Sequence, residues 1–181
     1  MAFKDNTLTF EDTKILDDTD MEIMMSWEAP IMEKCAEYIC HNSGDVLEIG
    51  FGMGICADYI QAQGVNSHTI VEIHPQIISR LKTWASGKSN VTIVEGDWHT
   101  VNGLTTYDGI FLDTFGDENL DNFKSFALAK INSGGKMTYW NSEDEVNRYA
   151  FDNISYERVS VSPDVNLYHM NSSYYMPKVV A

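Results

Sequence analysis

Short apolar runs alternate with amphipathic stretches along most of this chain. Each run is bounded by polar residues or glycine, which is typical of buried β-strands. Five such runs predict strands at residues 45–50, 68–73, 91–95, 107–113 and 136–140. In the stretches around them, apolar residues recur every three or four positions, which predicts helices that begin near Pro30, Ile55, Pro75 and Leu120.

Strands that alternate with helices form a mostly parallel sheet that is covered on both faces. The chain therefore predicts an α/β fold, a single-domain Rossmann-like doubly wound sheet. After the fifth strand, residues 143–151 predict a short helix. Residues 155–162 and 165–175 are rich in β-forming residues and are separated by Pro163, which predicts a C-terminal antiparallel hairpin.

Three glycines at alternate positions follow the first predicted strand. Gly50, Gly52 and Gly54 predict a tight turn where a ligand approaches bare backbone, followed by a helix N-terminus that faces the ligand. With Ala57, the loop formally fits the dinucleotide pattern G-x-G-x-x-A. A dinucleotide carries a pyrophosphate, however, whereas the strand ends carry acids and no obvious nearby arginine. S-adenosylmethionine has no phosphate and bears a positive sulfur, so it fits better, and a dinucleotide-dependent oxidoreductase is a remote alternative.

Acidic residues also follow the other predicted strands, at the sheet edge where ligands bind in such folds. Glu72 comes 18 residues after Gly54, where an acid accepts hydrogen bonds from ribose hydroxyls. The Asp97–Trp98 pair suits the edge and face of an adenine. Asp113 ends the fourth strand. Together these strand ends predict a site for a nucleoside-containing, uncharged or cationic ligand.

Composition narrows the function classes. The chain has 27 acidic and 12 basic residues in 181, a formal net charge of −15, which argues against nucleic-acid binding and favours cationic ligands. The sequence contains no apolar run long enough for a membrane span and no secretory signal, so we expect a cytoplasmic protein. Its three cysteines and five histidines lack metal-ligand spacing, so we expect buried free thiols and no metal. We divide the chain into a flexible acidic segment, residues 1–20, and a domain of residues 21–181.

Several segments resemble known families. Residues 46–54, V-L-E-I-G-F-G-M-G, resemble the donor-binding motif of class I S-adenosylmethionine-dependent methyltransferases. Residues 24–32, M-M-S-W-E-A-P-I-M, and 107–115, Y-D-G-I-F-L-D-T-F, are similar to guanidinoacetate N-methyltransferase and to the related protein arginine methyltransferase that acts on the internal guanidino nitrogen. The resemblance covers residues 21–177.

The resemblance implies S-adenosyl-L-methionine as cofactor and a guanidino compound, or an arginine residue, as acceptor. It implies that Glu28 and Asp113 grip the acceptor's guanidinium, a planar cation that pairs with carboxylates through two parallel hydrogen bonds. The cofactor-binding residues that it implies are Glu48, Gly50, Gly52, Met53, Gly54, Glu72, Asp97 and Trp98. The substrate-binding residues are Trp27, Phe115, Asn141 and Ser142.

A carboxylate of pKa about 4 cannot deprotonate a guanidinium of pKa above about 12 in advance. We therefore expect the proton to leave as the nitrogen–carbon bond forms, with Asp113 as its acceptor. After the fifth strand, where the family holds the substrate carboxylate with backbone groups, this chain has Glu143 and Asp144. We expect an acceptor with a neutral or cationic tail. The alternatives are a methyltransferase of this fold acting on a small amine or hydroxyl, and a non-catalytic protein that binds the donor or its product.

Overall fold

A computed structural model describes residues 3–117, 120–142 and 144–181. Ten strands, four α-helices and three 3₁₀ turns make up the regular structure of these residues. The strands are β1 (Thr9–Phe10), β2 (Lys14–Leu16), β3 (Glu22–Met25), β4 (Asp45–Ile49), β5 (Ser67–Glu72), β6 (Val91–Glu95), β7 (Tyr107–Leu112), β8 (Ile131–Tyr139), β9 (Ile154–Ser160) and β10 (Ser173–Val180). The helices are α1 (Ala29–Ile39), α2 (Ile55–Ala62), α3 (Pro75–Ala85) and α4 (Phe123–Lys130).

Seven strands form the central sheet in the order β6-β5-β4-β7-β8-β10-β9. The first five of them are parallel, and β10 runs antiparallel to both of its neighbours. The predicted α/β class, with its doubly wound parallel sheet and C-terminal antiparallel hairpin, is confirmed. Chain order reverses direction at β4, so the C-terminal ends of β4, β5 and β7 meet at one switch point, where ligands bind in such sheets.

The helices cover the sheet through apolar stripes. In α1, Pro30 occupies the first turn, where its missing N–H costs no hydrogen bond, and the side chains from Ile31 to Ile39 that face the sheet are buried. Cys35, Cys40 and Cys56 are buried free thiols, as predicted. Among the described residues, no helix is long and apolar enough to cross a membrane.

Two predicted elements near the C-terminus are wrong. The second hairpin strand lies at Ser173–Val180 and not at 165–175. The reason is local, because the Asn166 side chain accepts hydrogen bonds from the backbone N–H groups of Tyr168 and His169 and so folds this segment into a loop. Residues 144–151 contain no helix, since Asn147 bonds both backbone groups of Phe151 with its side chain. Glu143, the first residue of that predicted helix, lies outside the described residues.

The N-terminal residues also form structure. β1, β2 and β3 pair as a small antiparallel sheet. Leu8 and Ile15 are buried, and the Gln76 side chain on α3 both donates to and accepts from the backbone of Leu8. Mobility of residues 1–20 stays a prediction, but the described part of that segment is attached to the domain by specific contacts.

Candidate active site

A cavity of about 1290 Å³ lies at the C-terminal ends of the parallel strands. Residues that directly follow β4, β5, β6, β7 and β8 line it, together with residues of β3 and of the loop before β10. The predicted site residues on its wall are Glu28, Glu48, Gly50, Gly52, Glu72, Asp97, Trp98, Asp113 and Phe115. Met53, Gly54, Trp27, Asn141 and Ser142 are not part of this wall.

The glycine loop needs its glycines. Gly50, Gly52 and Gly54 all have positive φ, at 91°, 52° and 80°, a backbone conformation that L side chains rarely adopt. A Cβ on Gly50 would overlap the carbonyl oxygen of Asp113, and one on Gly52 would press on the sulfur of Met24. The glycines thus allow Asp113, after β7, and Met24, in β3, to pack closely against the loop. Gly54 serves a different role, because it precedes the first turn of α2.

Glu48 lies at the bottom of the cavity and is fully buried. Its Oε2 lies 2.8 Å from His68 Nε2, and His68 Nδ1 lies 3.2 Å from the side-chain amide of Gln61. Its other oxygen, Oε1, is shielded from solvent and has no hydrogen-bond partner among the described residues. Burial raises the pKa of Glu48 above its usual range. A buried acceptor without a partner on a cavity wall is a place for a ligand's hydrogen-bond donor.

Glu72 is fixed by backbone hydrogen bonds. Its Oε1 accepts from the N–H groups of Ile73 and His74, both at 2.8 Å, and its Oε2 accepts from Phe51 N–H at 2.9 Å. A carboxylate has about four acceptor positions, so one remains on Oε2. The predicted ribose contact therefore has an acceptor that is held in place before any ligand arrives.

Asp97 and Trp98 stand side by side on the cavity wall. Asp97 Oδ1 accepts from the backbone N–H of His99 at 2.9 Å and lies 2.6 Å from His99 Nδ1. Trp98 donates its indole N–H to Asp117 at 2.7 Å and packs edge-on against Phe126. The Trp98 ring is therefore held firmly by its neighbours, as a rigid wall for a flat ligand would require.

Glu28 and Asp113 form a pair of carboxylates in the cavity. Glu28 follows β3 through a 3₁₀ turn, and its Oε1 accepts two hydrogen bonds of 2.6 Å, from Met25 N–H and from the Tyr168 hydroxyl. Burial, followed by the charge of Asp113, raises the pKa of Glu28 to about 8. Burial, followed by the charges of Glu48 and Glu72, raises the pKa of Asp113 to about 7. No hydrogen bond ties the Asp113 carboxylate to another described residue. Such repulsion is relieved by a cation placed between the carboxylates.

Sequence reasoning missed Tyr168, Trp140 and Glu22, which all line the cavity. Tyr168 reaches Glu28 from 140 residues away, and it belongs to the segment that was predicted as a strand. Trp140 follows β8 and its ring lies edge-on to Tyr168, with centroids 6.1 Å apart. An aromatic residue at the end of a predicted strand was the one available signal for Trp140.

Trp27, Asn141 and Ser142 do not line the cavity. Trp27 packs behind the cavity wall, where it stacks on Tyr168 and His169 with ring centroids 5.8 and 5.5 Å apart. Asn141 donates its side-chain N–H groups to the carbonyls of Asp144 and Tyr175, so it holds the loop against β10. Ser142 is exposed. Direct substrate contacts of these three residues stay predictions.

Phe115 lines the cavity together with the N-terminal segment. Its ring lies 5.2 Å from that of Phe3, which also contacts His74 at 5.0 Å. Lys4 is on the same wall. Residues Phe3 and Lys4 thus cover part of the cavity, whose described lining includes more acidic than basic side chains.

Comparisons with known proteins agree with this site. A family model described as guanidinoacetate N-methyltransferase matches residues 2–170. A protein arginine N-methyltransferase 2 from Aspergillus oryzae is 33% identical over 161 residues, which cover 83% of this chain and 39% of the relative. The Saccharomyces cerevisiae protein of the same name is 32% identical over an alignment of 189 residues, which covers 96% of this chain and 43% of the relative. The chain thus spans about two fifths of the length of these relatives.

Solved structures share the fold at low identity. The N-methyltransferase NodS from Bradyrhizobium japonicum WM9, in complex with S-adenosyl-l-homocysteine, superimposes with a TM-score of 0.64 at 13% identity, covering 85% of this chain and 87% of that one. Spermidine synthase from Thermotoga maritima gives 0.68 at 13% identity, covering 96% and 72%. These similarities concern the architecture and not the acceptor.

Proposed function

The chain belongs to the guanidinoacetate N-methyltransferase family, and we propose that it transfers a methyl group from S-adenosyl-L-methionine to a guanidino nitrogen of arginine or of a smaller guanidino compound. The observation that carries this proposal is the pair Glu28 and Asp113, two repelling carboxylates in one cavity beside the glycine loop. The names of the relatives, which are arginine methyltransferases, support the same acceptor group.

The cavity fits the donor. Gly50 and Gly52 line the cavity, Glu72 retains an acceptor for a ribose hydroxyl, and Asp97 with Trp98 suits an adenine. Glu48 lies on the same wall, and its Oε1 has no hydrogen-bond partner among the described residues. When bound, the donor supplies an electrophilic methyl group on a positively charged sulfur. The surrounding carboxylates stabilise such a charge and would repel a pyrophosphate, which disfavours a dinucleotide.

The two carboxylates differ in how they can hold a guanidinium. Oε1 of Glu28 is already filled by Met25 and Tyr168, so Glu28 offers its other oxygen for one strong bond. Asp113 has both oxygens available and can take two parallel N–H groups side-on. One bidentate and one single contact fix both the plane and the rotation of a planar cation. We propose that catalysis rests mainly on this positioning, which leaves one nitrogen facing the methyl group.

Asp113 is also the proposed proton acceptor. The guanidinium keeps its proton until the nitrogen–carbon bond begins to form, because the pKa values of guanidinium and carboxylate differ too widely before then. In the ligand-free protein burial and the neighbouring carboxylates raise the pKa of Asp113 to about 7; a bound cation favours its ionised form, which is the form that can accept the proton. As the new bond forms and the sulfur–carbon bond breaks, the nitrogen's proton passes to Asp113.

The experiment is a transfer assay on Glu28→Gln and Asp113→Asn with donor binding measured in parallel. Each substitution keeps the shape of the side chain and removes its charge. We expect both variants to bind the donor within a few-fold of wild type and to lose at least about a thousandfold in transfer. Glu33→Gln, on the exposed face of α1, removes the same charge and serves as the control. Full transfer by both variants would favour an amine or hydroxyl acceptor instead.

A further inference from the structure

A third carboxylate lines the cavity on the side of Glu28. Glu22 is the first residue of β3, the strand that leads directly to Glu28. Its side chain is half-buried, and its Oε2 is shielded from solvent without a hydrogen-bond partner among the described residues. A carboxylate on a cavity wall with no hydrogen-bond partner within the described chain can gain one from a bound cation.

Glu22 lies toward the mouth of the cavity. The residue before it, Met21, lines the cavity and is 47% exposed, and Leu167 lines it and is 79% exposed. The next residue after Leu167 is Tyr168, whose hydroxyl donates a hydrogen bond to Glu28. Tyr168 thus connects this region to the pair Glu28 and Asp113, the acceptor clamp. Burial, and then the charges of neighbouring carboxylates that include Glu22, raise the pKa of Tyr168 well above its usual value. Glu22 is therefore close to the proposed acceptor clamp and lies on its solvent side.

The basic side chains that line the cavity lie near Asp97, away from Glu22 and Glu28. Among the described residues that line it, Lys4 and His99 are the basic ones. His99 pairs with Asp97, and the charge of Lys4 helps to lower the pKa of the same aspartate, after the hydrogen bonds from His99. Both are thus at the proposed adenine end. The acceptor end has three carboxylates and, in the part of the chain that is described, no cation to balance them.

We propose that Glu22 is a specificity-determining residue that binds a second, cationic group on the acceptor. The acceptor class is then guanidino compounds whose tail carries an amine, and compounds with a carboxylate tail such as guanidinoacetate are disfavoured. The inference rests on the proposed function and deepens it. An ammonium group in the tail gives the Glu22 carboxylate a charged hydrogen-bond donor, whereas a carboxylate at the same place meets like charge.

The test compares two acceptors that differ only in that group. Agmatine and butylguanidine share the guanidino group and a four-carbon chain, and only agmatine ends in an ammonium. We expect wild type to prefer agmatine by at least about tenfold in kcat/KM, the effect of one charge-assisted hydrogen bond. In Glu22→Gln, which keeps the side-chain shape, we expect the ratio of the two values to fall close to one. Glu33→Gln, with the same charge removed on α1, keeps the wild-type ratio.

Binding gives a second readout that does not depend on turnover. Protein saturated with S-adenosylhomocysteine is titrated calorimetrically with each compound, and the same preference for agmatine is expected. A wild-type ratio near one, an unchanged ratio in Glu22→Gln, or a higher kcat/KM for guanidinoacetate than for agmatine would overturn the inference about Glu22. Methylation of butylguanidine without any preference overturns this inference alone. Failure to methylate any of these compounds overturns the proposed function as well.

Discussion

Removal of the Tyr168 hydroxyl probes how Glu28 is kept ready to bind a cation. This hydroxyl donates a 2.6 Å hydrogen bond to Glu28 and lowers a pKa that burial and Asp113 otherwise raise, with a net value of about 8. A hydrogen bond to a charged group contributes about 1.5–3 kcal/mol. Since one pKa unit corresponds to about 1.36 kcal/mol, Tyr168→Phe should raise the pKa of Glu28 by about 1–2 units.

The consequence is a shift in the pH dependence of transfer. Only the ionised clamp holds a guanidinium well, so kcat/KM for the acceptor should rise with pH through the coupled ionisations of Asp113, about 7, and Glu28, about 8. In Tyr168→Phe the upper part of this rise should move to higher pH by about 1–2 units. At pH 7 the variant should be roughly tenfold less active, and the difference should shrink as the pH rises.

The assay is a pH profile of initial rates under acceptor-limited conditions, with donor saturating. Tyr156→Phe is the matched control, because the Tyr156 hydroxyl is buried, makes no hydrogen bond to another described residue and is not on the cavity wall. Its profile should follow wild type. A Tyr168→Phe profile that superimposes on wild type, or one lowered equally at every pH, would refute this account of Glu28.

Three further predictions concern stability and the glycine loop. In the ligand-free protein, Glu28→Gln should raise the free energy of unfolding by about 1–4 kcal/mol at pH 8.5. The reason is that a carboxyl whose pKa is raised by folding makes the folded protein less stable as the pH rises. Thermal melts of the variant and of wild type should converge near pH 5. Asp113→Asn should behave likewise, with its gain complete nearer pH 7, and equal or lower melting temperatures for both variants would contradict the raised pKa values. Gly50→Ala should lower stability by more than about 2 kcal/mol and weaken donor binding. Gly64 also has positive φ but has open space around it, so Gly64→Ala should lower stability by only about 1 kcal/mol. Equal effects of the two substitutions in thermal melts and in donor titrations would contradict this prediction.

The parallel core and the glycine loop were predictable from the sequence because their signals are local. An apolar run, a glycine turn and a helical stripe follow one another within residues 45–62, and strand β4 with α2 forms there as predicted. The acids at strand ends were predictable for a related reason. Parallel strands bring their C-terminal ends to one edge, so Glu72 and Asp113 converge on one cavity whatever the details of packing.

The remaining features depend on contacts between distant residues. Tyr168 and Glu28 are 140 positions apart, and the loop that carries Tyr168 is shaped by the side chain of Asn166, which the β-forming residues around it concealed. The family resemblance implied that Trp27, which precedes Glu28, contacts the substrate. In a 3₁₀ turn, however, consecutive side chains point about 120° apart, so Trp27 packs behind the wall that Glu28 lines. Sequence adjacency does not decide which side a residue faces.

The measurement that tests the central claim most directly is methyl transfer by the wild-type chain. Labelled S-adenosyl-L-methionine is incubated with guanidinoacetate, free arginine, agmatine and an arginine-containing peptide, and products are analysed by mass and fragmentation. We expect a gain of one methyl group on a guanidino nitrogen of at least one of these compounds. Protein that binds the donor but methylates none of them, or that places the methyl group on an amine or hydroxyl, would contradict it.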